Sequence, residues 1–149
     1  MVSINHRIGI KAPLENVFKA ISTEVGIAKW WTESTSLETD NQVRARFLNF
    51  EGIELGSMKF EIFKTSETEV KWTFLEGPEE WIGTDVIFDL KKEGEYAILL
   101  FSHSNWKEEV EFKSHCSMKW AIFLLSLKQY TETGKGNPSP EDFKIDNWN

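Results

Sequence analysis

The chain has 149 residues, with 17 Lys and Arg against 24 Asp and Glu for a formal charge of −7, and it carries 7 Trp, 11 Phe and 2 Tyr. That length suits one domain able to bury its apolar surface without a metal or disulfide staple, and able to enclose a cavity. The acidic balance argues against nucleic acid as a partner. No apolar run is long enough for membrane insertion, and the single cysteine fits a soluble protein of the reducing cytoplasm.

Ile4, His6, Ile8 and Ile10 alternate with Asn5, Arg7 and Gly9, which predicts a half-buried first strand with His6 turned inward. Pro13 suits the first turn of a helix, and Leu14, Val17, Phe18 and Ile21 follow at i, i+3, i+4 and i+7 as one apolar face. Thr23 and Gly26 open a second short helical segment that ends at Trp30-Trp31. Strands are expected at Ser34 to Leu37 and Val43 to Leu48, around the turn residues Thr39-Asp40-Asn41. Met58, Phe60 and Ile62 form one apolar face and Val70, Trp72 and Phe74 another. Pairing Ile62 with Trp72 and Phe60 with Phe74 puts both on the same side of a sheet.

Thr84, Val86, Phe88 and Leu90 lead into a Glu93-Gly94 turn and return through Ala97, Leu99, Phe101 and His103, a register that sets Thr84 opposite His103. From about Val110 to Thr133 the pattern is helical, and Cys116, Trp120, Phe123, Leu127 and Tyr130 make a stripe for the concave face of a curved sheet. Met118, Ile122 and Leu125 carry the apolar surface to a third side, which implies complete burial or self-association. Gly134 ends the helix, and residues 135–149, with Pro138 and Pro140, read as an irregular tail packed on or trailing from a single domain over 1–134. Successive hairpins and one long covering helix make the class α+β.

Ala12-Pro13-Leu14-Glu15-Asn16-Val17-Phe18 followed by Trp30-Trp31-Thr32, then Trp81-Ile82-Gly83-Thr84, Phe88-Asp89-Leu90 and His103-Ser104-Asn105-Trp106, form an ordered series. It ends in Cys116, Trp120 and Leu124-Leu125-Ser126-Leu127-Lys128-Gln129-Tyr130 before Gly134. This series resembles the landmarks of the SRPBCC superfamily, the START-like or helix-grip fold, and within it the family named after the C-terminal domain of the activator of the heat-shock-protein-90 ATPase. The resemblance covers essentially the whole chain. It implies a curved antiparallel sheet of about six or seven strands around a long C-terminal helix, with an apolar cavity between them. Lipid carriers, cyclases, hydrolases and chaperone activators all share that fold, so the fold leaves function open.

Rings converging between a sheet and one helix rarely pack without gaps, so an apolar pocket is expected, lined by Trp31, Phe47, Phe60, Trp72, Phe74, Trp81, Phe88, Phe101, Trp106, Trp120 and Phe123. His103 is the polar candidate to anchor a ligand, beside the alternative that it is a satisfied structural histidine, and Cys116 starts the inward stripe. Arg44 and Arg46 are expected to face solvent, with the option of meeting a ligand carboxylate at the rim. No spacing suits a metal, and no cofactor is expected. The first reading is a module that binds a small apolar or amphipathic molecule. A cyclase or hydrolase using the same pocket would need two converging polar groups where the sequence offers one. A protein-interaction module with a chaperone partner is the third, and a homodimer through Ile87, Ile98 and Leu100, or through Met118, Ile122 and Leu125, accompanies any of them.

Overall fold

Alternating apolar side chains build seven strands into one sheet in a computed structural model that describes residues 2–149. The strands are β1 (Val2–Ile10), β2 (Ser34–Thr39), β3 (Gln42–Leu48), β4 (Glu54–Lys64), β5 (Glu69–Glu76), β6 (Asp85–Glu93) and β7 (Tyr96–Trp106). Their spatial order is β1-β7-β6-β5-β4-β3-β2, with every neighbouring pair antiparallel. From β2 to β7 each strand lies beside the next, while β1 sits at the far edge against β7. The link from β1 to β2 must therefore cross the whole sheet, about 29 Å at roughly 4.8 Å per strand spacing. Helices α1 (Leu14–Ser22) and α2 (Glu24–Ile27) are part of that crossing.

Val17, Ile21 and Ile27 are the residues these helices bury completely, and the indole N–H groups of Trp30 and Trp72 donate to Ala20 O at 2.8 Å and Ile21 O at 2.9 Å. Those bonds satisfy carbonyls at the end of α1 that the helix itself leaves free. Pro13 stands at the N-cap, with φ −59° and ψ 142°, one position before the helix instead of in its first turn.

The β4–β5 register pairs Ile62 with Trp72 and Phe60 with Phe74, as the apolar faces require. In β6–β7 the register differs from the sequence expectation by two residues: Glu93 pairs with Tyr96, Phe88 with Phe101 and Val86 with His103. The turn is Gly94-Glu95, and Gly94 has φ 60°. A glycine at the first central position suits a type II′ hairpin, whose twist matches that of the strands. Because a slip of two residues keeps each side chain on its own face, the inward set is unchanged.

Helix α3 (Glu111–Thr133) spans about 34 Å at 1.5 Å per residue and lies across the concave face. Cys116, Trp120, Phe123 and Leu127 are buried, and Gly134 at φ 92° ends the helix by donating its N–H to Tyr130 O. The outer side is bare: Met118 is 57% exposed and Leu125 58%. Complete burial is therefore not what this chain achieves alone. Among the described residues no helix is long and apolar enough to cross a membrane.

Residues 135–149 form no helix or strand and run back along α3 and the segment 29–33. Ser139 donates its N–H to Trp31 O at 2.8 Å and accepts from Glu33 N at 3.1 Å, while Asn137 N–H donates to Ser126 Oγ at 2.8 Å. Gly136 makes this approach possible, since a Cβ there would stand 2.7 Å from Lys29 O and 2.9 Å from Ser126 O.

Candidate functional site

Three indoles set the geometry of the interior. Trp120 of α3 is stacked between Trp31, at 5.4 Å and 15°, and Trp81, at 5.8 Å and 16°. Trp31 follows α2, and Trp81 closes a 3₁₀ turn at Glu79–Trp81 between β5 and β6, so three separate segments are locked by one ladder of rings. Such a ladder is stiff and flat, whereas the sheet beside it curves away through β3 and β4. The gap that results is a half-open cavity of about 220 Å³, walled by Trp31, Phe47, Met58, Trp81, Cys116, Trp120 and Phe123. Gly56 widens it: Gly56 lies opposite Phe47 on the inward face, and a Cβ built there would meet nothing within 4 Å.

Of the residues expected on the pocket wall, Trp31, Phe47, Trp81, Cys116, Trp120 and Phe123 reach this cavity. Phe60, Trp72, Phe74, Phe88, Phe101, His103 and Trp106 do not; they are packed in the core. The reason is ring-to-ring contact, with centroids 4.6 Å apart for Phe60–Trp72, 4.8 Å for Trp72–Phe88 and 4.8 Å for Phe101–Trp120, separations that leave no space between them. Arg44 and Arg46 also stay off the wall, pairing instead with Glu38 and Glu76 and with Glu54.

His103 is fully buried, and its partners fix its state. Trp120 Nε1, which can only donate, gives its proton to His103 Nδ1 at 3.1 Å. The ring proton is then on Nε2 and goes to Thr84 Oγ1 at 2.8 Å, and the Thr84 hydroxyl donates in turn to Trp81 O. Burial lowers the pKa of His103 to about 3. A neutral imidazole with both nitrogens committed holds Trp120 and the 3₁₀ turn in place and has no atom left for a ligand. Thr84 and His103 meet as a diagonal pair, since Val86 is the residue opposite His103.

Burial also pushes the Cys116 thiol up to about 12, an effect that the nearby Trp81 indole N–H only partly opposes. The thiol thus stays protonated and serves as an apolar wall atom instead of a nucleophile.

The mouth is built by residues that sequence patterning did not indicate. Leu55, Pro78, Phe112, His115 and Lys119 line it together with Asp142, Trp148 and Asn149 of the tail. Phe112 continues the inward stripe one turn before Cys116, and His115 and Lys119 each precede a stripe residue by one position, which is the signal that could have found them. The tail's placement has no such signal. Buried Asp142 accepts from Lys119 Nζ and from Lys144 Nζ, Lys119 Nζ also donates to Phe143 O, and His115 Nδ1 lies 2.8 Å from Asp146 Oδ2. Asp146 is held below the usual carboxylate range by that histidine contact. The charged side chains Lys119, Asp142 and His115 therefore each have a partner in place, and the lining a ligand meets is mostly apolar.

No protein-family model and no curated protein matches the chain. Solved structures do. The Aha1 dimer from Colwellia psychrerythraea is 39% identical, with a TM-score of 0.75 over 91% of this chain and 100% of that one. An AHSA1-like protein from Aeromonas hydrophila is 13% identical, with a TM-score of 0.70 over 89% of this chain and 94% of that one. A structural-genomics protein from Staphylococcus saprophyticus is 18% identical, with a TM-score of 0.68 over 91% and 95%. These last two share the fold alone, whereas the first is similar in sequence across its whole length.

Proposed function

We propose that this chain, which belongs to the Aha1 family of START-like domains, is a binding module that holds one small apolar molecule between β3, β4 and α3. The observation that carries this reading is the aromatic cavity itself, walled by side chains that are rigidly held by their neighbours. Its volume of about 220 Å³ sets how much of the occupant is enclosed. Scaling from the ~150 Å³ apolar cavity that accepts benzene, it holds about nine non-hydrogen atoms, far fewer than a membrane lipid carries. The exposed Leu55 and Trp148 at the mouth favour a ligand that is apolar within and tolerant of water at one end.

Catalysis in this cavity finds less support. His103 lies behind the wall with its nitrogens occupied, Cys116 is a protonated thiol, and the titratable groups at the mouth, His115, Lys119 and Asp142, are tied to carboxylate or ammonium partners of the chain itself. Native mass spectrometry of protein purified from its own host, followed by denaturation, tests the binding reading. A stoichiometric neutral molecule of small mass is the expected result. Protein that is empty as purified and takes up no small aromatic compound from a test panel overturns it.

A second reading concerns assembly and is favoured by a separate observation. Met118 and Leu125 leave an apolar side of α3 without cover, and the 39% identical relative is described as a dimer. A homodimer through this side of α3 would bury it. It would leave the cavity, on the opposite side of the helix, untouched.

A further inference from the structure

Resting on the ligand-binding reading above, we propose that residues 141–149 form a gate over the cavity, latched to one face of α3, and that a bound molecule enters and leaves when this segment lifts. The tail has two parts, held in different ways. Residues 136–139 are fixed through the backbone: Ser139 pairs with Trp31 and Glu33, Asn137 N–H reaches Ser126 Oγ, and Gly136, Pro138 and Ser139 are buried. Beyond Pro140, among the described residues, no backbone-to-backbone hydrogen bond reaches the sheet or α3. Glu141 N–H turns back to Pro138 O at 2.9 Å, Ile145 N–H closes on Asn149 O at 2.9 Å, and Asn149 N–H on Asp146 O at 3.2 Å. Nor does the segment bury an apolar side chain as an anchor: Asp142 is its one buried residue, and Phe143 is 73% exposed. Few buried apolar contacts and a backbone bonded only to itself mark a unit that opens while the rest of the fold stays intact.

What holds the segment down is side-chain contact with Phe112, His115 and Lys119, which share one face of α3. Lys119 Nζ donates to Asp142, to Phe143 O at 2.8 Å and to Asn149 O at 3.5 Å, and His115 Nδ1 lies 2.8 Å from Asp146 Oδ2. The Trp148 ring meets Phe112 at 6.1 Å and His115 at 5.6 Å. Lys144, which pairs with Asp142, also lies over the Phe50 ring between β3 and β4. The latch and the mouth are the same residues: Phe112, His115 and Lys119 on one side, and Asp142, Trp148 and Asn149 on the other, line the cavity. The rest of the wall is carried by β3, β4, the inward stripe of α3, the stacked indoles and the 3₁₀ turn that Pro78 opens. Moving any of those breaks a backbone ladder or a ring stack. Lifting 141–149 breaks a ring contact and ion pairs, and Lys144 and Asp146 in those pairs are half-exposed, which makes them cheap to part.

The test uses full-length ¹⁵N-labelled protein and acetophenone, a neutral probe of the size the cavity encloses. The double variant Lys144→Gln, Asp146→Asn weakens the latch at two side chains that do not line the cavity. NMR exchange measurements on the indole N–H resonances of Trp31 and Trp120 give the association and dissociation rates. Free and liganded protein lose the same latch, so both rates are expected to rise together, by about tenfold for two weakened ion pairs of a few-fold each. The Kd is expected to stay within about twofold, because the segment still closes over the cavity in both states. Unchanged rates in the variant overturn the gate. Faster dissociation alone, with association unmoved and the Kd weakened in proportion, makes the segment a fixed part of the wall and overturns the gate as well. Failure of acetophenone to bind the unaltered protein overturns the binding reading itself, and this inference with it.

Discussion

Filling the cavity from the sheet side separates a true pocket from a packing gap that closes in solution. Gly56→Leu places its side chain where a Cβ meets no atom within 4 Å, at a position without positive φ, so the backbone accepts it. At roughly 25 Å³ per non-hydrogen atom, the scale set by benzene in a ~150 Å³ cavity, the four added carbons occupy about 100 Å³. That is nearly half of the 220 Å³ available. The remaining ~120 Å³ is smaller than the ~150 Å³ that benzene needs, so ligand binding is lost. Stability moves the other way. Burying a leucine side chain contributes about 1.5–3 kcal/mol, and removing a strand glycine about 0.5–1 kcal/mol more. Allowing roughly half for imperfect fit leaves a gain of about 1–2 kcal/mol, or about 3–6 °C in Tm. Thermal unfolding by circular dichroism, together with an acetophenone titration, reads both effects. A variant destabilised by more than about 1 kcal/mol, as overpacking of a filled core would cause, refutes the cavity.

Acid should weaken the fold through His103. Its pKa falls from the usual 6.5 to about 3 on folding, so the unfolded chain takes up a proton below pH 6.5 that the folded chain refuses. The stability is therefore full above pH 6.5 and declines by about 1.4 kcal/mol per pH unit as the pH drops toward 3, or about 2 kcal/mol by pH 5. Urea unfolding across that range measures the slope, and an NMR titration of the His103 ring with a midpoint near 6.5 would remove its cause. Cys116, with its pKa raised to about 12, should resist iodoacetamide in the folded protein at mildly alkaline pH and react on unfolding; free-thiol rates in the folded state contradict its burial. Leu125→Glu should convert a dimer into a folded monomer by light scattering, and a protein that is already monomeric at high concentration ends the α3 interface.

The fold was legible because its signals are periodic. Alternation marked the strands, and the inward faces of β4 and β5 fixed their register through the pairing of large residues. The β6–β7 register was read two residues off because Glu93-Gly94 and Gly94-Glu95 both resemble turns, and a slip of two costs nothing in face assignment. Much of the cavity wall was visible for the same reason, since Cys116, Trp120 and Phe123 share one helical stripe. What periodicity could not give was which of the inward rings pack against one another and which border a void. Phe60 and Phe47 look alike in sequence, yet one is enclosed by Trp72 and Phe74 while the other faces the glycine at position 56. The tail was illegible in a different way. Asp142 and Trp148 reach the mouth through a lysine and an aromatic contact more than twenty residues away in sequence, and no local pattern encodes such a partner.

A crystal structure under xenon pressure tests the cavity most directly, because apolar cavities of this size take up xenon without help from hydrogen bonds. One xenon bordered by Trp31, Met58, Trp81 and Trp120, with those side chains where they stand now, is the expected result. Indole rings closed over the same space, with no xenon between α3 and β4, would contradict the existence of a binding site there.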